Sequence, residues 1–178
     1  MKAFLILNLS LLLLMSCSEN QEIEAVQDPN WSQDESISMN TTFAAEENQE
    51  IENFLNHRPD WKMTKTGTGL RYFVYFKSDN LDTAQVGDQV LVDFSIELLD
   101  GTICYTSEEN GAEAFIVEKA DIESGIHEGI QQMCTGDKSK FILPSHMAHG
   151  LIGDENKIPP LTPVIYDIHL IEITQIEP

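Results

Sequence analysis

Basic residues are what this chain has least of. Ten Lys and Arg stand against 30 Asp and Glu, for a formal net charge of −20 at pH 7. Between Lys2 and Arg58 there is neither a Lys nor an Arg. A surface so acidic repels polyanions, which argues against nucleic acid as a partner. Long apolar runs are missing as well. The only extended one, Ala3 to Met15, is interrupted by Asn8 and Ser10 and is too short to span a bilayer. There is no internal repeat and no glycine-rich phosphate loop. Nor is there a convincing set of nucleophile, general base and orienting carboxylate. His146 and His149 lie three apart with Asp154 nearby, but a third ligand at motif spacing is lacking, so no metal site is expected. Cysteine is scarce too, with Cys17, Cys104 and Cys134 alone.

What is present begins at the N-terminus. "MKAFLILNLSLLLLMSC" has one positive residue, then an apolar h-region, then Leu14-Met15-Ser16-Cys17. This reads as an export signal over residues 1–16. Its end resembles the lipobox of bacterial lipoproteins, in which cleavage precedes a cysteine that carries the acyl chains. The expectation is a lipid-anchored envelope protein, in the outer membrane facing the periplasm or exposed at the surface. Several acyl chains on Cys17 would anchor stably, at about 0.8 kcal/mol per buried CH₂. Cys104 and Cys134 then allow at most one bridge, and free thiols are the expectation.

Residues 17–48 are rich in Glu, Gln, Asn, Asp and Ser, and read as a flexible acidic tether. Its reach as a coil is on the order of 30 Å. Ile51, Phe54 and Leu55 then fall at helical spacing before Pro59, giving a short helix and linker over residues 49–65. From residue 66 to 178 the period changes to two. "LRYFVYF", "DQVLVDFSIELL", "EAFIV", "KSKFILP" and "VIYDIHLIEITQI" read as strands. Asp100-Gly101 gives a hairpin signal. Val164, Tyr166, Ile168 and Leu170 share one face of the last strand, opposite Ile165, Asp167, His169, Ile171 and Ile173. In "DIESGIHEGIQQM" the residues Ile122, Ile126, Ile130 and Met133 line one helical face, although Gly125 and Gly129 weaken the helix. The fold class is α+β: an antiparallel sheet of about five strands wrapped on one helix. The segment "HGLIGDENKIPP" is long for a structureless connection, which marks it as a binding loop or a poorly ordered one.

The order of these blocks resembles that of the FKBP-type peptidyl-prolyl isomerases, from Gly67 to Ile176. The spaced pattern Gly125, Gly129, Met133, Gly136 and Lys138, a proline-closed strand and Ile158-Pro159-Pro160 carry the resemblance. With the lipobox and the acidic tether, the chain resembles the gliding-motility-associated isomerase lipoproteins of Bacteroidetes. The resemblance implies a half-open barrel with an apolar pocket between helix and sheet, roofed by His149–Pro160. It implies a reaction without cofactor or metal, acting on proline-containing segments of exported proteins.

Residue by residue, the resemblance puts Phe94 where a pocket tyrosine is usual, Cys104 at an aromatic and Tyr105 at an aspartate. Ile122 and Glu123 match the pair whose backbone faces the ligand. Ile126 replaces the tryptophan of the floor, and His149 a tyrosine whose hydroxyl donates to the ligand. Ile158 and Tyr166 fit the loop isoleucine and the strand aromatic. Phe115 fits a ring near the pocket or plain core. Phe94, Tyr105, His149 and Tyr166 are the expected catalytic group, and Cys104, Phe115, Ile122, Glu123, Ile126 and Ile158 the expected binding group. The lost aspartate and tryptophan leave open a non-catalytic chaperone or binding module. The tether and helix leave open an accessory lipoprotein of an envelope machine.

Overall fold

The computed structural model describes residues 32–176. The signal segment, Cys17 and the first part of the expected tether lie outside the described residues. Along the chain come α1 (Gln33–Asn56), β1 (Thr64–Lys65), β2 (Arg71–Phe76), β3 (Gln89–Leu98), β4 (Ile103–Thr106), α2 (Ser107–Asn110), β5 (Glu113–Ile116), α3 (Ser124–Ile130), β6 (Lys138–Leu143) and β7 (Val164–Thr174). The strands form one antiparallel sheet in the order β1-β2-β6-β7-β3-β4, with β5 also paired to β3. The sheet is thus seven-stranded rather than five-stranded. The two additions, β1 and β4, are short edge strands whose sequences are too brief to show a period.

Strand β3 organises the site. Its outer edge pairs with β5 over Gln89–Val92 and with β4 over Ser95–Glu97. The edge is therefore split near Phe94, whose N–H would otherwise lack a ladder partner. That N–H donates to Ser107 Oγ at 2.7 Å, so the short α2 fills the split. The gap between β4 and β5 is the mouth of the hollow described below.

Helix α3 lies on the inner face with Ile126, Ile130 and the following Met133 buried. Its two glycines have a packing reason. A Cβ on Gly125 would lie 2.5 Å from Leu143 Cγ, and one on Gly129 would lie 2.5 Å from the Phe141 ring. The helix approaches β6 more closely than any side chain at those positions permits. Packing supplies what helix propensity withholds.

Two expectations are corrected. Helix α1 begins at Gln33, inside the segment read as tether, and runs unbroken to Asn56. Ser32 and Glu35 form a reciprocal capping box that starts it. Glu, Gln, Ala and Met then sustain it, residues that composition scores as solvated but that favour helix. Its C-terminal half docks on the outer face of the sheet. Ile51 is fully buried against Ile142 and Ile165, with Phe54 and Leu55 at the edge of the cluster. Buried Arg71 reaches Asn48 Oδ1 at 2.6 Å and Glu52 Oε1 at 2.8 Å, and Glu47 accepts from the N–H and hydroxyl of Ser145. The second correction is in β7. Leu91 pairs with Glu172 while Val92 pairs with Leu170, so Ile171 is an extra residue and the faces switch there. Ile173 consequently joins the inner core instead of the outer face.

Gly129→Ala is expected to lower the urea midpoint by an amount equivalent to about 1–3 kcal/mol, the typical effect of overpacking, despite the better helix propensity of Ala. An unchanged midpoint would show that α3 can stand off β6.

Candidate functional site

Between α3, the inner face of β3 and β7, and the loop after β6 lies a cavity of about 440 Å³. Phe94 and Ile96 reach it from β3, Tyr166 and Ile168 from β7, Phe115 from β5 and Ile126 from α3. Period two explains the walls, because Phe94 and Ile96 pair with Ile168 and Tyr166 on the face that also carries the core. Ile122 and Glu123, just before α3, form one side of the mouth, and His149 and Asp154 overhang the other.

Eight of the expected residues therefore share one hollow: Phe94, Tyr105, Phe115, Ile122, Glu123, Ile126, His149 and Tyr166. Cys104 and Ile158 do not line it. Both are almost fully buried in the core behind it, at 1% and 2% exposure. Cys104 comes from an edge strand and Ile158 from the loop, and both belong to the main core cluster. The roof is made by His149 and Asp154 of that segment rather than by Ile158. Phe115 is both core and wall, at 6% exposure and edge-on to the buried His127 ring. Among the described residues both cysteines are free thiols, and burial, the larger effect, and the nearby Asp154 charge push the Cys104 thiol up.

The polar groups at the rim are already arranged. The Tyr105 hydroxyl donates to Asp154 Oδ2. Asp154 Oδ1 also accepts the N–H groups of Ile158 at 2.7 Å and Asn156 at 2.9 Å. Lys157 Nζ donates to the Cys104 carbonyl at 2.6 Å and lies over the Tyr105 ring. The loop is thereby latched to β4. Asp154 was not singled out from the sequence as a pocket residue. The signal was available, since an aspartate two before Asn156 and four before Ile158 is placed to cap its own turn. A carboxylate thus stands beside Tyr105 at the mouth, supplied by the loop. Desolvation raises the Asp154 pKa, but the bonds from Tyr105, Ile158 and Asn156 outweigh it and hold the carboxyl at about 2.

His149 Nε2 lies 3.2 Å from Glu123 Oε1 but off the direction of a hydrogen bond, and makes none with the protein. It is a ring nitrogen shielded from solvent at the lip of an apolar hollow. In the tautomer with Nε2 protonated, the acceptor nearest to it is the Glu123 carboxylate. The Tyr166 phenol is held far above its ordinary pKa, chiefly by burial and then by the charge of Glu123, and stays neutral. Nothing here can act as a nucleophile with an adjacent base, and among the described residues no group of three His, Cys, Asp or Glu has metal-ligand geometry.

The site is thus a half-barrel that holds a largely apolar hollow with an acidic mouth under a latched roof. The family model for FKBP-type peptidyl-prolyl cis-trans isomerase matches residues 81–171. Peptidyl-prolyl cis-trans isomerase FPR2 of Saccharomyces cerevisiae is 33% identical over 97 residues, covering 53% of this chain and 72% of the relative. Peptidyl-prolyl cis-trans isomerase FKBP10 of Homo sapiens is 35% identical over 92 residues, 51% of this chain but only 16% of that protein. Among solved structures, FkpA from Escherichia coli superposes with a TM-score of 0.60 at 21% identity, over 82% of this chain and 75% of that one. A peptidyl-prolyl cis-trans isomerase from Pseudomonas syringae pv. tomato gives a TM-score of 0.61 at 23% identity, over 74% and 96%. These two likenesses concern the fold. The chain belongs to the FKBP-type peptidyl-prolyl cis-trans isomerase family.

The latch sets a pH window. The folded pKa of Asp154 is depressed below its ordinary value of 3.8, so its contribution is complete above about pH 4 and is lost as pH falls toward 2. The amide resonance of Ile158 should therefore titrate with a midpoint of about 2. A midpoint near 3.8 would mean that the carboxyl is not held by the loop.

Proposed function

We propose that this chain catalyses cis–trans isomerisation of X-Pro bonds, as a lipoprotein anchored through Cys17 in a bacterial envelope. The observation that carries the catalytic part is the hollow itself, walled by Phe94, Ile96, Phe115, Ile126, Tyr166 and Ile168 beneath a latched loop. The barrier to rotation, about 18–20 kcal/mol, comes from the conjugation of the amide. No covalent bond needs to break. A twisted amide has less charge separation on its carbonyl than a planar one, so a water-poor wall of Phe94, Phe115, Ile126 and Tyr166 favours it. Only such differential binding lowers the barrier. His149, once its ring turns from Glu123, can donate Nε2–H to the substrate carbonyl and fix the segment while the amide turns.

The mouth carries Glu113, Asp121, Glu123 and Asp154 and is lined by no Lys or Arg. This supports substrates with Lys or Arg beside the proline. Support for anchoring is the Leu14-Met15-Ser16-Cys17 sequence and the acidic, Lys-free stretch after it. No helix among the described residues is long and apolar enough to cross a membrane. The clients proposed are exported or envelope proteins with slow X-Pro steps, including those of a gliding machinery.

A protease-coupled proline-peptide assay tests the catalytic claim. His149→Ala should lower kcat/KM about 2- to 12-fold, the worth of one neutral hydrogen bond of about 0.5–1.5 kcal/mol. Phe94→Ala should lower it further. Full activity in both variants would remove the hollow from the reaction, and binding without turnover in the unmodified chain would make it a holding module.

Charge selection is read separately. A Lys-Pro peptide should exceed its Gln-Pro counterpart by about two- to fivefold at low salt, in line with exposed ion pairs, and the advantage should fade at high salt. Equal turnover at all salt concentrations would show that the acidic mouth does not select.

A further inference from the structure

A second and larger recess, about 680 Å³, lies on the far side of the same loop. Phe43 and Ala44 of α1 form one wall and Leu151 and Leu161 the other, with Glu46 and Glu50 on the rim. Nothing covers it among the described residues. Leu151 is 65% exposed and its neighbour Ile152 68%, two adjacent apolar side chains open to solvent. Upstream of Glu47, α1 carries Ile37 and Met39 to solvent as well. The contacts that hold the helix to the sheet come from Glu47, Asn48, Ile51 and Glu52, in its C-terminal half.

Charge decides what fits. Helix α1 holds Asp34, Glu35, Glu46, Glu47, Glu50 and Glu52 and not one Lys or Arg. A second copy pairing through this face would set acid against acid. A polypeptide segment with apolar side chains flanked by Lys or Arg meets both the apolar walls and the acidic rim. Position adds the rest. Gly150 and Leu151, which line this recess, follow directly on His149, which overhangs the isomerase hollow.

We infer that this recess is a second binding site, for apolar, cation-bearing segments of unfolded polypeptide, adjoining the prolyl hollow. A client held in the recess keeps its prolines at raised local concentration beside the hollow. Only this last step rests on the isomerase reading. Binding in the recess does not.

The probe is a fluorescent, proline-free peptide of alternating Leu, Phe and Lys, titrated into the full chain. It should bind, and the exposed pair Glu46→Lys with Glu50→Lys should weaken it at least fivefold. Leu151→Ser should weaken it by a similar factor. The charge-reversed chain should retain tetrapeptide turnover within twofold while losing most of its advantage on an unfolded, proline-limited protein. The inference is overturned if neither variant changes peptide affinity, or if a proline tetrapeptide displaces the probe competitively. It is also overturned if sedimentation shows a dimer that Leu151→Ser dissociates. Reduced tetrapeptide turnover in His149→Ala with probe binding intact separates failure of the hollow from failure of the recess.

Discussion

The site depends on how closely a helix can lie against a strand. With Cβ positions at Gly125 and Gly129 only 2.5 Å from Leu143 and Phe141, α3 is seated at a depth that glycine alone allows. That depth sets where Ile126 ends as a floor and where Ile122 and Glu123 stand at the mouth. Raise the helix by the width of a methyl group and the floor rises with it, while the walls from β3 and β7 stay in place. The cavity is thus the remainder of a packing solution. It is no separately built feature.

The second dependency is polar and belongs to the roof. A loop of this length tends to wander, yet this one is bound to β4 by Tyr105 with Asp154, by the two loop amides on Asp154 and by Lys157 on the Cys104 carbonyl. Tyr105 thereby acts through the loop: its hydroxyl is spent on Asp154, with Asn156 Nδ2 also donating to it at 3.1 Å. The mouth thereby carries a carboxylate whose position is fixed by a tyrosine on the facing strand. The same latch leaves His149 facing the hollow and Leu151 and Ile152 facing outward, so one short segment serves two surfaces.

Much of this was legible in the sequence. Alternation in "DQVLVDFSIELL" and "VIYDIHLIEITQI" announced the walls because a half-buried strand must alternate, and the i, i+4, i+8 isoleucines announced α3. The spacing of Gly125 and Gly129 was visible, though as a helix weakness; its packing role appears only once β6 is beneath it. Other features were hidden for physical reasons. Helix α1 is held by a capping box and by contacts from Glu47, Asn48 and Ile51 to residues far along the chain, and composition counts such polar residues as solvated. The bulge at Ile171 inserts one residue and leaves no mark in the alternation until partners are known. Cys104 and Ile158 were expected at the pocket surface and lie behind it, because position along a motif does not say whether a side chain stops at a wall or passes through it. Asp154 was read as a weak metal neighbour, and its partner Tyr105 is far away in sequence.

The central claim is that this hollow takes a prolyl ring and turns its amide. Two-dimensional exchange NMR on a Lys-Pro peptide mixed with the isotope-labelled full chain addresses both halves at once. The account predicts cis–trans exchange brought from tens or hundreds of seconds into the sub-second range, with shifts concentrated at Phe94, Ile122, His149 and Tyr166. Exchange left at the uncatalysed rate, or acceleration with those four residues unmoved, would contradict it.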